Sequence, residues 1–267
     1  MTTRTFLVHG LLAGLLAGVA AFVVAYTVGE PQVDRAIALE SAGATADHHE
    51  DEATTSGPAS HSHDHGHSHD DAAISRTTQS TWGLATGTLA IGIVLGGLTG
   101  LLAAVGLGRL GGLRPAASTA LVALLAAVSF SVVPFLKYPA TPPAVGSGET
   151  IDSRTALWFG FVAVSVLGVL AAVAVTRSAA RRWSEVPGVI AGATAYVVAV
   201  TVAALAFPKV DELGAFPASV LWDFRVSSLL TLLAMWAVIG AVLTGLVDRA
   251  WRRREAVEAQ RAYAAAL

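Results

Sequence analysis

Seven of the eight histidines fall in one stretch of the chain: His48, His49, His61, His63, His65, His67 and His69. The run His61-Ser62-His63-Asp64-His65-Gly66-His67-Ser68-His69-Asp70-Asp71 places an imidazole at every second position. Neutral imidazole is a good ligand for zinc, copper, nickel and cobalt, and the affinity order puts copper and nickel above cobalt, so the donors alone do not select the metal. In a flexible chain, rings two residues apart can curl around one ion, while the interleaved aspartates add hard oxygens and negative charge. Alternating histidine with acids between is a compositional signature of metal binding. Three roles stand open for these seven candidate ligands. The run is a solvated linker whose histidines take metal only in the test tube, a patch that changes charge near neutral pH, or an arm that gathers divalent cations for the rest of the protein.

The segment that carries them, Gly29–Thr81, interrupts an otherwise apolar chain. Val33, Ala36 and Ile37 fall roughly on one helical face, so the spacing predicts a short amphipathic helix lying at a membrane interface. From Ser41 to Ser75 small and polar residues dominate, with no aromatic and only Ile74 as a large aliphatic. Such a stretch cannot bury enough apolar area to offset its ordering entropy, and is expected to be disordered without a ligand.

Of the 267 residues, 54% are hydrophobic and 13% charged, the latter about half the usual share of a soluble domain. A soluble enzyme with one packed core is excluded. A formal net charge of −2 speaks against a nucleic-acid partner, which calls for a basic excess. The absence of cysteine removes disulfides, thiolate metal sites and redox dithiols. Six apolar stretches near the ~20 residues of a spanning helix run over Phe6–Val28, Trp82–Val105, Ser118–Leu136, Ala156–Thr176, Pro187–Phe207 and Val226–Val247, with no Asp, Glu, Lys or Arg inside. In hydrocarbon every backbone polar group must bond within its own segment, so these are helices. The expected fold is an all-α integral membrane protein, a six-helix bundle with a long disordered His-rich outer loop. Its divisions are a first helix over 1–29, an outer loop over 30–81, a five-helix bundle over 82–248 and a basic tail over 249–267.

The connecting segments orient the bundle. With a cytoplasmic N-terminus the two faces carry +7 inside and −9 outside, and the Arg252-Arg253-Arg254 cluster falls inside, as the positive-inside rule requires. Both termini are then cytoplasmic. Gly10, Gly14 and Gly18 recur every fourth residue in the first helix, and Gly83, Gly87, Gly92, Gly96 and Gly100 recur in the second. That spacing lines one helix face and lets backbones approach in lipid. The only two lysines, Lys137 and Lys209, follow the third and fifth helices on the outer face and are expected to snorkel to the interface. His9 lies inside the first helix, where an ionisable group is a pathway candidate by default or a hydrogen-bond partner for a neighbouring helix. No phosphate loop of the form G-x-x-x-x-G-K-[ST], no H-E-x-x-H and no Cys-x-x-Cys-His is present, so catalysis has no visible apparatus and no organic cofactor is expected.

Three stretches together resemble the CbtA family of probable cobalt transporter subunits: Gly29-Glu30-Pro31-Gln32-Val33-Asp34-Arg35-Ala36-Ile37-Ala38-Leu39-Glu40, Val133-Pro134-Phe135-Leu136-Lys137-Tyr138-Pro139-Ala140-Thr141-Pro142-Pro143-Ala144-Val145-Gly146, and Phe216-Pro217-Ala218-Ser219-Val220-Leu221-Trp222-Asp223-Phe224-Arg225. The resemblance implies a multi-pass subunit of bacterial cobalt uptake in the inner membrane. It also implies a link to cobalamin synthesis and a small one-helix, His-containing partner of the CbtB type. Under the orientation above, Glu30, Asp34, Glu40, Asp211, Glu212 and Asp223 would ring the outer mouth, where carboxylates concentrate cations or are simply solvated. Asp223 and Arg225 are close enough in sequence to pair with each other. The leading expectation is a permease subunit for a divalent transition metal, Co2+ first and Ni2+ next, taken as substrate. A membrane-anchored metal buffer or sensor without transport is the alternative, and an accessory membrane enzyme of cobalamin metabolism is a third reading.

Overall fold

The computed structural model describes residues 2–50, 75–143 and 145–266. The run from His61 to His69 lies outside the described residues. Among the described residues there is no strand, and six helical rods are long and apolar enough to cross a membrane. The protein is an all-α integral membrane bundle.

The first rod begins with α1 (Thr3–Val24), whose Thr2 side chain accepts from the Thr5 amide as an N-cap. It passes through a π-helical stretch, Ala25–Gly29, into α2 (Glu30–Glu50). No separate interfacial helix forms: Val24 and Glu30 both keep right-handed helical angles, so the amphipathic segment extends the membrane helix instead. The helix continues past Ser41 to Glu50, because propagation adds one bond per residue once a nucleus exists, and alanine favours it. The second rod starts with a turn at Arg76–Thr78 capped by Ser75, passes through a π stretch at Gln79–Gly83 and becomes α3 (Leu84–Gly106). The third is α4 (Pro115–Ala126), a π stretch at Ala127–Val132 and α5 (Val133–Lys137). The remaining rods are α6 (Ile151–Arg182), α7 (Glu185–Ala206) and α8 (Ala218–Ala265). The basic tail therefore continues the last membrane helix without a break.

Two of the π stretches have a local cause. Pro31 stands two residues after Gly29, and Pro134 two residues after Val132. A proline inside a helix cannot donate to the carbonyl four residues earlier and its ring collides with it, and a widened turn just before it relieves both problems. Gln79–Gly83 has no such proline.

The glycine repeats form the tightest seam. Helices α1 and α3 run antiparallel, so that Gly10, Gly14 and Gly18 face Gly100, Gly96 and Gly92. A methyl added at Gly92 would sit 2.5 Å from the Gly14 carbonyl oxygen, and one at Gly18 would sit 2.7 Å from Leu89 Cα. Backbone meets backbone along the whole seam, the contact that small residues permit in lipid. Gly87 has open space around it, so the seam ends before reaching it. Against this pair packs α8, through Met235, Trp236, Ile239, Leu243 and Val247, and α4 lies on α8. The buried Trp236 indole donates to Ser131 Oγ at 2.7 Å, tying α8 to the π stretch of the third rod. Helices α6 and α7 pair with each other and join the rest through that same π stretch and α5. Only Gly188 and Gly192 of α7 are buried.

The bundle has two unlike ends. Arg109, Arg114, Arg181, Arg182 and Arg252–Arg254 sit at one, here the arginine end. Glu30, Lys137, Glu212 and Asp223 sit at the other, the acidic end.

Candidate functional site

The acidic end holds a cavity of about 700 Å³, walled by α8, α6, the start of α2 and the segments following α5 and α7. Its charged lining consists of Glu30, Glu212, Lys137, Arg154 and Arg225. Its deeper wall carries Ser227, Ser228 and Thr231 on α8, beside Trp158, Phe224 and Leu232.

The acids expected to ring this mouth are mostly engaged by arginines. Arg76 donates to Glu30 and, at 2.9 Å, to Asp34, which joins the start of the second rod to the extension of the first. Glu212 accepts from Thr150 Oγ1 at 3.0 Å and lies 3.6 Å from Arg154 Nε. Asp223 faces Arg35 at 3.7 Å, not Arg225. One helical residue apart from Phe224 on either side, Asp223 and Arg225 point about 200° apart around the helix, so pairing along the chain is geometrically poor. Glu40 and Asp211 are exposed. The structure thus brings Glu30 and Glu212 to the cavity wall and leaves the other four acids off it. His48 and His49 fall in the last turn of α2. Among the described residues no three His, Asp or Glu side chains are grouped closely enough to hold a metal ion.

Lys137 does not reach toward headgroups. Its ammonium donates to the Ala204 and Phe207 carbonyls at 2.7 and 3.1 Å, at the C-terminal end of α7. Those carbonyls have no partner within the helix and carry the negative end of its dipole, so a cation there is favourable. Tyr138 alongside donates to the Pro208 carbonyl at 2.8 Å and stacks edge-on to Phe161, whose ring in turn meets Phe207. Burial pushes the Tyr138 phenol above its usual pKa, so it remains a donor. The proline-rich segment after α5 is thereby fastened to the one after α7, and the two form the rim. At the far end, His9 is half-buried with its Nδ1 lacking a partner.

The hydroxyl row has a defined polarity. Ser227 and Ser228 both donate to the Phe224 carbonyl, at 2.8 and 2.9 Å, and Thr231 donates to Ser227 O at 3.0 Å. A hydroxyl whose single proton is spent on its own helix keeps only lone pairs to offer. Oxygens of this kind can replace part of the hydration shell of a cation. Nothing in the composition pointed to this row, although its i, i+1, i+4 spacing in an otherwise apolar span is visible in the sequence. Arg76 and Arg154 were also missed as partners of the acids, since 46 and 58 residues separate them from Glu30 and Glu212 respectively.

No curated protein and no solved structure matches the chain. A family model described as CbtA, probable cobalt transporter subunit, matches residues 3–248. That match takes in the first five membrane rods, the sixth as far as Asp248 and the rim segments around the cavity, and the chain belongs to the CbtA family.

Proposed function

We propose that this chain is the membrane permease subunit through which a divalent transition metal, cobalt first and nickel next, enters a bacterial cell. The reading is supported chiefly by the cavity at the acidic end, which leads from a charged rim to three hydroxyl oxygens with free lone pairs. In this reading the acidic end faces outward and both termini are cytoplasmic, in keeping with the excess of arginine at the other end. The seven histidines from His48 to His69 gather the ion outside, it enters past the arginine-paired Glu30 and Glu212 at the mouth, and the hydroxyls of α8 strip part of its water. Hard oxygen donors and partial hydration suit passage better than a tight imidazole cage, because conduction requires that the ion also leave.

The driving energy comes from the ion's own gradient, the membrane potential, or a partner. The family description, a transporter subunit, implies a partner, which in this reading is a small one-helix, His-containing subunit of the CbtB type. The decisive experiment is radiocobalt entry into proteoliposomes holding the purified chain with that subunit. Saturable entry supports a permease. Metal bound to the protein without accumulation in the lumen identifies a buffer or sensor instead.

A further inference from the structure

The cavity wall carries more positive than negative side chains, which is unexpected for a vestibule built to receive a bare cation. Four of its five charged residues are accounted for: Glu30 by Arg76, Glu212 and Arg154 by each other, and Lys137 by two carbonyls. Arg225 is not. Among the described residues its guanidinium has no carboxylate within ion-pair distance, and its Nε is buried without a hydrogen-bond partner. A guanidinium has five donors and cannot shed its charge. Half-buried and without a counter-charge, it offers its remaining donors to an oxyanion entering the cavity. The planar donor fork matches a carboxylate in a bidentate fashion.

Size points the same way. A divalent ion with six waters occupies roughly 200 Å³ at about 30 Å³ per water, whereas the cavity holds about 700 Å³. That is the size of a site for a small organic molecule. Ser228, about 60° around α8 from Arg225, and Thr231 one turn further line the cavity with it, so cationic and lone-pair donors lie within two helical turns of each other.

We infer that the cavity takes the metal as a complex with a small polycarboxylate, Arg225 holding a carboxylate of the ligand while the hydroxyl oxygens of α8 face the metal. This rests on the permease reading for the metal, but its anion half stands alone and is tested without any metal. Titration calorimetry of the purified full chain in an uncharged detergent, with citrate and with acetate, is expected to give saturable citrate binding in metal-free buffer. Arg225→Gln should weaken it at least tenfold and Arg225→Lys less. Arg181→Gln, at the arginine end, should leave it unchanged. Citrate should also raise the melting temperature of the unmodified chain and not that of Arg225→Gln, a readout that separates lost binding from lost folding. Absence of saturable citrate binding overturns the inference, as does equal affinity in Arg225→Gln. A third arm uses nanodiscs of phosphatidylcholine against phosphatidylglycerol. Citrate binding abolished by the anionic lipid alone would assign Arg225 to a headgroup phosphate and overturn the soluble ligand. Citrate binding with no cobalt entry would leave this inference standing and remove the permease reading.

Discussion

Replacing Gly96 by alanine tests whether the α1–α3 seam holds the bundle together. The added methyl would lie 2.5 Å from Gly14 Cα and 2.6 Å from Gly14 N. All of these neighbours are backbone, so no side chain can swing away. To reach ordinary contact the helices must part by roughly 1 Å, which forfeits a quarter to a half of the dispersion energy along the seam. Overpacking of this kind costs about 1–3 kcal/mol, offset by the ~1 kcal/mol by which alanine outranks glycine in a helix. The net loss should be about 0–2 kcal/mol. Gly87→Ala supplies the control, because nothing lies within 4 Å of its added methyl, so it should be neutral or gain up to ~1 kcal/mol. Equilibrium unfolding in mixed micelles would read both variants against the unmodified chain. A seam of this geometry requires Gly96→Ala to be the less stable by about 1–3 kcal/mol. A difference below about 0.5 kcal/mol, the usual scatter of additivity, would refute the packing argument.

Three further outcomes are expected. Lys137→Met, which removes two charge-assisted bonds to the end of α7, should cost about 1.5–3 kcal/mol and speed amide exchange around Phe207 more than in α1. Trp236→Phe and Ser131→Ala each break the buried 2.7 Å bond at about 1–3 kcal/mol apiece, and the double variant should cost clearly less than their sum. Deleting Ser60–Asp71 should lower cobalt uptake when the metal is scarce and matter little when it is plentiful. Unchanged uptake at both levels would remove the histidine run from the mechanism.

The membrane rods were legible because hydrocarbon leaves the backbone no alternative to a helix, and the glycine seam was legible because a four-residue spacing specifies one face. The π stretches at Ala25–Gly29 and Ala127–Val132 were not called, although Pro31 and Pro134 mark their cause. Composition drew attention to acids at the mouth, yet it could not tell a solvated carboxylate from one held by an arginine 46 positions away, as Glu30 is by Arg76. The role of Lys137 was hidden for a similar reason: its partners are carbonyls of another helix, which every residue type supplies. The hydroxyl row on α8 has a visible spacing, but only the hydrogen bonds show that its protons are spent inward.

The path through the cavity can be examined directly because the chain contains no cysteine. Ser228→Cys places a single thiol on the cavity wall, and cells expressing this variant with its partner subunit can be treated from outside with a membrane-impermeant methanethiosulfonate before radiocobalt uptake is measured. If the metal enters here, the thiol is modified from outside, uptake falls to background, and excess Co2+ slows the modification. Full modification with undiminished uptake would contradict a path through this cavity, and a thiol reached only from the cytoplasmic side would invert the bundle.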